Sequence, residues 1–98
     1  MSVFPAEVEM LLCRHPDVHT AAVVPAADPS KGQVPVAFVT LRQKDAVEAA
    51  VLRDWARESM AAFKVPLVEI VDEMPMTTTM KIRKVDLTAR AQQLADDR

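Results

Sequence analysis

Apolar positions fall into six short periodic blocks, separated by proline, glycine and aspartate. Residues 5–14 carry Val8, Leu11 and Leu12 at i, i+3, i+4, the spacing of one helical face. Pro5 suits the first helical position, where its missing N–H is no loss. Glu7 and Glu9 lie in the first turns, where the dipole favours acids. Pro16 ends the element, because the residue before a proline avoids the helical region. Residues 18–25 predict a strand around the apolar run Ala21, Ala22, Val23, Val24. Residues 34–41 predict a second. Its Val36, Phe38, Val39 and Leu41 make it apolar on both faces and therefore central. Asp28, Pro29, Ser30, Lys31 and Gly32 between them are turn chemistry, and a turn this tight implies an antiparallel pair. Pro35 lacks a ladder donor and is expected near the strand start or at a bulge.

Residues 46–63 predict the longest helix, with Val51, Leu52, Trp55, Ser59, Ala62 and Phe63 on one side. Glu48, Arg53, Asp54, Arg57 and Glu58 supply the charged neighbours. Val65-Pro66 stops it. Residues 67–71 predict a short third strand, and 74–80 a loop without helical or strand periodicity. Residues 86–95 predict a last helix, with Leu87, Ala91 and Leu94 at i, i+4, i+7. The order α-β-β-α-β-α implies an α+β fold, a small three-stranded sheet packed with helices. No repeat, low-complexity tract or linker divides residues 1–98, so one domain is expected.

Composition narrows the function. Of 98 residues, 12 are basic and 14 acidic, a net charge of −2, which argues against a nucleic-acid binder. One cysteine and two histidines leave no disulfide framework and no Cys- or His-rich metal centre, so no metal site is expected. One glycine excludes Gly-rich dinucleotide and Walker-type loops. No apolar run approaches the roughly 18 residues of a membrane span, and with no charged stretch and apolar run at its start no secretory signal is expected. A soluble, cytoplasmic domain is the expectation. A chain this short has little material to wall off a deep pocket, so any catalytic part it plays is expected within something larger.

The segment ahead of Lys81 is the most informative. A loop lysine at the edge of a sheet can neutralise a phosphate or carboxylate, above all where charge develops in a transition state. The alternative is that Lys81, Arg83 and Lys84 form a solvated basic face. Lys64 reads as a cation complementing the C-terminal end of a helix. Lys31 and Gly32 read as a plain hairpin turn. Cys13 reads as a small buried hydrophobe, His15 as a partner of a helix C-terminus, and Trp55 as core. Met74, Met76 and Met80 are an unusual loop trio, suited to the irregular seam against a partner domain.

Seven segments in order carry a resemblance over nearly the whole chain. They are Phe4-Pro5-Ala6-Glu7-Val8-Glu9, His15-Pro16-Asp17-Val18, Ala21-Ala22-Val23-Val24, Val36-Ala37-Phe38-Val39, Phe63-Lys64-Val65-Pro66, Val71-Asp72-Glu73-Met74-Pro75 and Thr77-Thr78-Thr79-Met80-Lys81-Ile82-Arg83-Lys84. Together they resemble the C-terminal domain of the adenylate-forming enzymes: acyl-CoA synthetases, luciferase relatives and the adenylation domains of peptide synthetases. The resemblance implies a mobile lid on a larger N-terminal adenylation domain. Such enzymes activate a carboxylic acid with ATP to an acyl-adenylate, then pass the acyl group to CoA or a carrier thiol. The family's loop pattern Pro-x-Thr-x-Thr/Ser-Gly-Lys matches Pro75, Thr77, Thr79 and Lys81. By that resemblance Lys81 contacts the substrate carboxylate and the ATP α-phosphate. Thr77, Thr79 and Met80 form the substrate and nucleotide loop, and Lys31, Gly32 and Lys64 are candidates for the CoA side.

The implied partners are a fatty or aryl acid, ATP with Mg2+, and CoA, all in the full-length enzyme, with none bound by this domain alone. The opening segment most resembles medium- and long-chain fatty-acyl and aryl-CoA ligases, which gives a fatty-acid–CoA ligase as the expectation. The family's hinge residue and Gly-rich loop lie upstream of the match, so the chain is expected to be a piece of a ligase or a stand-alone lid, without turnover alone. Met80 stands where the family has glycine; if that position needs a positive φ, methionine strains it. The alternative function is therefore a non-catalytic docking module that kept the fold. A regulatory reading also follows from the resemblance, in which acetylation of Lys81 removes its charge.

Overall fold

Alternation along two long strands decides the architecture. The computed structural model describes residues 5–30, 32–59 and 65–97. Its elements are α1 (Pro5–Cys13), β1 (Val18–Asp28), β2 (Gly32–Leu41), α2 (Ala49–Ser59), β3 (Leu67–Ile70) and α3 (Thr88–Asp96), the last entered through a 3-10 turn at Lys84–Leu87. The sheet order is β1-β2-β3, with β2 central, antiparallel to β1 and parallel to β3. This is the α+β fold with a three-stranded sheet read from the pattern.

Successive side chains on a strand face opposite sides. Ala22, Val24 and Ala26 on β1 and Val34, Val36 and Phe38 on β2 pack with Leu87, Ala91 and Ala95 beside α3. The intervening Val23, Ala37 and Val39 pack with Val8 and Leu12 of α1 and Leu52 and Ala56 of α2. The molecule therefore has three layers, α1 and α2, then the sheet, then α3. Val18 joins the α1–α2 side although its number is even. The cause is a bulge: Val18 pairs with Leu41 and Thr20 with Thr40, so His19 is the extra residue that flips the alternation. Arg90 of α3 hydrogen-bonds Glu69 of β3, which raises the guanidinium further above its ordinary value.

The two prolines of the hairpin strands face each other, Pro25 opposite Pro35. The neighbouring odd residue Val23 turns its N–H away from β2, to the Glu9 carboxylate. Alternation places the ring nitrogen of Pro25 on that same outward side, so β1 runs on to Asp28 instead of ending at residue 25. Pro35 precedes the first residue of β2 that pairs with β3, Val36, so no ladder bond is lost.

Several boundaries shift. The helix expected over 46–63 begins at Ala49. Ahead of it Ala46 closes a turn on Gln43, and Asp45 takes a φ of 61°, which no helix accommodates. Val51 and Ser59, placed on its apolar side by spacing, are exposed; Leu52 and Ala56 make the buried contacts. The end of that expectation, including Ala62 and Phe63, lies outside the described residues. The last helix is shorter at its start, because residues 84–87 wind as a 3-10 turn. Cys13, expected buried, is exposed. His15 does not cap α1 with its ring: Nδ1 accepts the Asp17 N–H at 3.1 Å, and the ring meets Trp55 edge-on at 5.0 Å. Among the described residues no helix is long and apolar enough to cross a membrane.

Candidate functional site

The stretch 74–80 reads as a loop without periodicity, but residues 76–82 form a tight hairpin. Met76 pairs with Ile82 across an antiparallel bridge. Outside that pair the Arg83 N–H donates to the Pro75 carbonyl at 2.7 Å; inside it the Thr77 N–H donates to the Lys81 carbonyl at 2.7 Å. The Met80 N–H donates to the Thr77 carbonyl at 3.0 Å, closing a β-turn over residues 77–80. The residue after the two turn centres is Met80, at φ 65°. A turn followed by a left-handed residue is a common way to close a hairpin of this length, and the left-handed position favours glycine. The condition attached to Met80 is therefore met: the backbone needs a positive φ there, and methionine adopts it.

Thr77 organises the interior of the hairpin. Its Oγ1 accepts the N–H of Thr79 at 3.3 Å and of Lys81 at 3.1 Å, and lies 2.9 Å from Thr79 Oγ1. The two threonines, expected in the substrate and nucleotide loop, hydrogen-bond within the turn and form its internal scaffold. Lys81 emerges from this scaffold exposed. Its basic neighbours are engaged, Lys84 with Glu9 at 2.7 Å and Arg83 with Asp86 at 3.0 Å. Among the described residues the Lys81 ammonium has no ion-pair partner, so it differs from Arg83 and Lys84 in being exposed and unengaged.

The hairpin is seated on the α3 side. Met74, below the first strand of the hairpin, is buried, and Ile82 packs on the same core. Met76 is 43% and Met80 76% exposed, so the methionine trio is graded from core to solvent. Beside the hairpin lies an open groove of about 490 Å³, walled by Met74, Met76, Met80 and Ile82 on one side and by His19, Thr20 and Thr40 at the bulge. Thr40 is buried, and its hydroxyl hydrogen-bonds that of Thr20. Nothing in the spacing of the sequence announces this groove, because the bulge that opens it is a register event.

Gly32 is not part of this cluster. It sits at φ 82° in the turn joining β1 to β2, where Ser30 N–H bonds Asp28 Oδ1 at 2.7 Å. The groove reaches Thr20 and the turn begins at Asp28, roughly 25 Å apart at the rise of a strand. Lys31 and Lys64, the other candidates for the CoA side, lie outside the described residues. No group of three or more His, Cys, Asp or Glu that could hold a metal occurs among the described residues.

The family model for the AMP-binding enzyme C-terminal domain matches residues 7–81. A 2-succinylbenzoate–CoA ligase of Geobacillus kaustophilus is 41% identical over 87 residues, 88% of this chain and 18% of the ligase. A 4-coumarate–CoA ligase 1 of Solanum tuberosum is 38% identical over 89 residues, 90% of this chain and 16% of the ligase. Among solved structures, an anthranilate CoA ligase in complex with anthranoyl-AMP superposes with a TM-score of 0.79 at 37% identity, over 96% of this chain and 19% of that one. The chain thus spans less than a fifth of the length of these relatives.

Proposed function

This chain belongs to the AMP-binding enzyme C-terminal domain family, and from that premise we propose that it is the mobile lid of an ATP-dependent, AMP-forming acyl-CoA ligase, with Lys81 serving adenylate formation. The observation that carries the reading is the hairpin itself. It closes fully around Met80 and presents a lysine that has no ion-pair partner among the described residues. In the first half-reaction a carboxylate oxygen attacks the α-phosphorus, the α–β phosphoanhydride breaks, and pyrophosphate leaves. The acid is already ionised at neutral pH, so no general base is needed. What the step needs is a cation at the carboxylate and the α-phosphate, and a flexible ammonium on a rigid hairpin supplies it. In the second half-reaction a thiol sulfur attacks the acyl carbonyl and AMP leaves. Mg2+ would enter with ATP.

The roughly 25 Å along β1 from Thr20, in the groove beside the hairpin, to Asp28, where the Gly32 turn begins, supports a lid that moves. Both ends of one rigid sheet cannot face a single active centre at once, so a role for the turn at the CoA side requires the domain to rotate between half-reactions. The N-terminal adenylation domain is the partner in this reading. The acid is aromatic: the relatives are named for 2-succinylbenzoate, 4-coumarate and anthranilate, each with a benzene ring. Their names lend no support to the fatty-acid expectation. The docking-module alternative rested on Met80 spoiling the loop, and the intact hairpin favours catalysis over it.

The test combines the chain with the N-terminal adenylation domain of its ligase and follows pyrophosphate release over aryl and fatty acids, with and without CoA. Turnover with an aryl acid that falls at least ~10²-fold in Lys81→Ala, while thioester formation from supplied aryl-adenylate survives, is the expected result. Equal loss of both halves overturns the assignment of Lys81. Binding of the two pieces without turnover overturns the ligase reading in favour of the docking module.

A further inference from the structure

We infer that Glu9 is a positioning residue for Lys81, acting through Lys84. One carboxylate oxygen, Glu9 Oε2, accepts the backbone N–H of Val23 at 2.7 Å and the ammonium of Lys84 at 2.7 Å. It joins three parts of the fold, helix α1, the outer strand β1, and the segment that leaves the Lys81 hairpin. The Glu9 side chain is only 21% exposed, so its field is less screened than that of a surface acid. The Val23 N–H, donated into the same oxygen, fixes the carboxylate before the lysine arrives.

The leverage follows from the anchoring of the hairpin. Its first strand rises from buried Met74 and its second begins at Ile82, both on the α3-side core. Apolar packing of this kind resists withdrawal but has no preferred direction. The Glu9–Lys84 pair is directional and reaches across to the α1 side. With it, the hairpin is held at two points on different layers. Without it, the hairpin pivots on Met74 and Ile82, and the Lys81 ammonium moves with it. Transition-state stabilisation by a placed charge tolerates little displacement. This role rests on the reading of Lys81 as the adenylation lysine; the tether itself does not.

The experiment separates the two. Glu9→Gln keeps an acceptor for the Val23 N–H and removes the charge; Lys84→Gln removes the other partner from an exposed position and serves if Glu9→Gln does not fold. In the ¹⁵N-labelled chain, the exchange contribution to relaxation at the Thr77, Lys81 and Arg83 amides is expected to rise about two- to fivefold in either variant, as suits loss of one partly exposed ion pair. The core amides of Val36 and Phe38 are expected to stay as they were. The double variant is expected to match the singles, since both remove one interaction. Unchanged hairpin relaxation, or hairpin and core amides loosening in step, overturns the tether whatever Lys81 does. In the reconstituted ligase, Glu9→Gln is expected to lower turnover with the KM for the acid unchanged, and Lys84→Arg to retain it. A loosened hairpin with full turnover overturns the positioning role. Full turnover of Lys81→Ala overturns the reading beneath it and leaves the tether standing.

Discussion

Met80 donates its N–H to the Thr77 carbonyl at 3.0 Å, and this bond holds a methionine in the left-handed region at φ 65°. The left-handed region costs a residue with a Cβ about 1–2 kcal/mol. Replacement by glycine removes that strain and returns part of it as extra freedom of the unfolded chain, about 0.5–1 kcal/mol. Met80→Gly is therefore expected to stabilise the chain by about 0.5–1 kcal/mol, a rise in Tm of a few degrees for a domain of this size. Met80→Ile is expected to lower Tm, because a β-branched residue tolerates positive φ worse still. Scanning calorimetry of the two variants decides it; a glycine variant that melts below the parent contradicts the strain.

Thr77 carries more of the hairpin than a spacer would. Its hydroxyl accepts the N–H groups of Thr79 and Lys81. Thr77→Val keeps the shape and deletes the acceptor, at a cost of about 0.5–1.5 kcal/mol confined to the hairpin. Amide hydrogen exchange is expected to quicken at Thr79 and Lys81 and to stay unchanged at Phe38. Uniform protection in the variant would show that the turn closes without the hydroxyl.

The fold was legible where one period governs burial. Val36, Phe38, Val39 and Leu41 announce a central strand, and the sheet order places β2 in the middle. The pattern failed where local backbone geometry intervened. The bulge at His19, the left-handed Asp45 ahead of α2 and the 3-10 turn at Lys84–Leu87 leave no periodic trace. In the site, motif resemblance singled out Lys81 and its threonines. It could not show Glu9 meeting Lys84, because the two stand near opposite ends of the chain and only the packed fold brings them together.

Helix α2 offers a direct contrast between neighbours. Leu52 is fully buried against α1 and β2, whereas Val51 is 52% exposed. Leu52→Ala leaves a cavity and is expected to cost about 2–5 kcal/mol. Val51→Ala is expected to stay within about 0.5 kcal/mol of the parent. Urea unfolding of both variants measures the difference; equal midpoints would mean that α2 packs by another face.

Partial desolvation pushes the Cys13 thiol above its ordinary value, with Glu9 adding to it and the backbone hydrogen bond to Ala21 and the charge of Arg42 opposing it. The folded state therefore holds the thiol proton more tightly than the unfolded chain does. This contribution to stability is intact below the ordinary value of about 8.5 and is lost as pH rises through the folded value. The rate of iodoacetamide alkylation is expected to turn on at higher pH in the native chain than in urea. Coincident pH midpoints would show no effect of the fold on the thiol.

The outer edge of β1 is closed at every second residue from Val23 to Ala27, and each closure has a different chemistry. The Glu9 carboxylate takes the Val23 N–H, and Pro25 has no N–H to offer. Gln92 of α3 clamps Ala27 in both directions, accepting its N–H at 2.8 Å and donating to its carbonyl at 3.1 Å. An open edge of eleven residues would template strand addition by another chain, so these contacts work against association. Pro25→Val with Gln92→Ala reopens the far half of the edge without touching either core. Sedimentation is expected to show concentration-dependent association of the double variant well beyond that of the parent, while Gln92→Ala alone, with Pro25 still in place, changes little. Parent and double variant sedimenting alike would mean that the twist of β1 protects the edge and that the contacts from α1 and α3 serve packing alone.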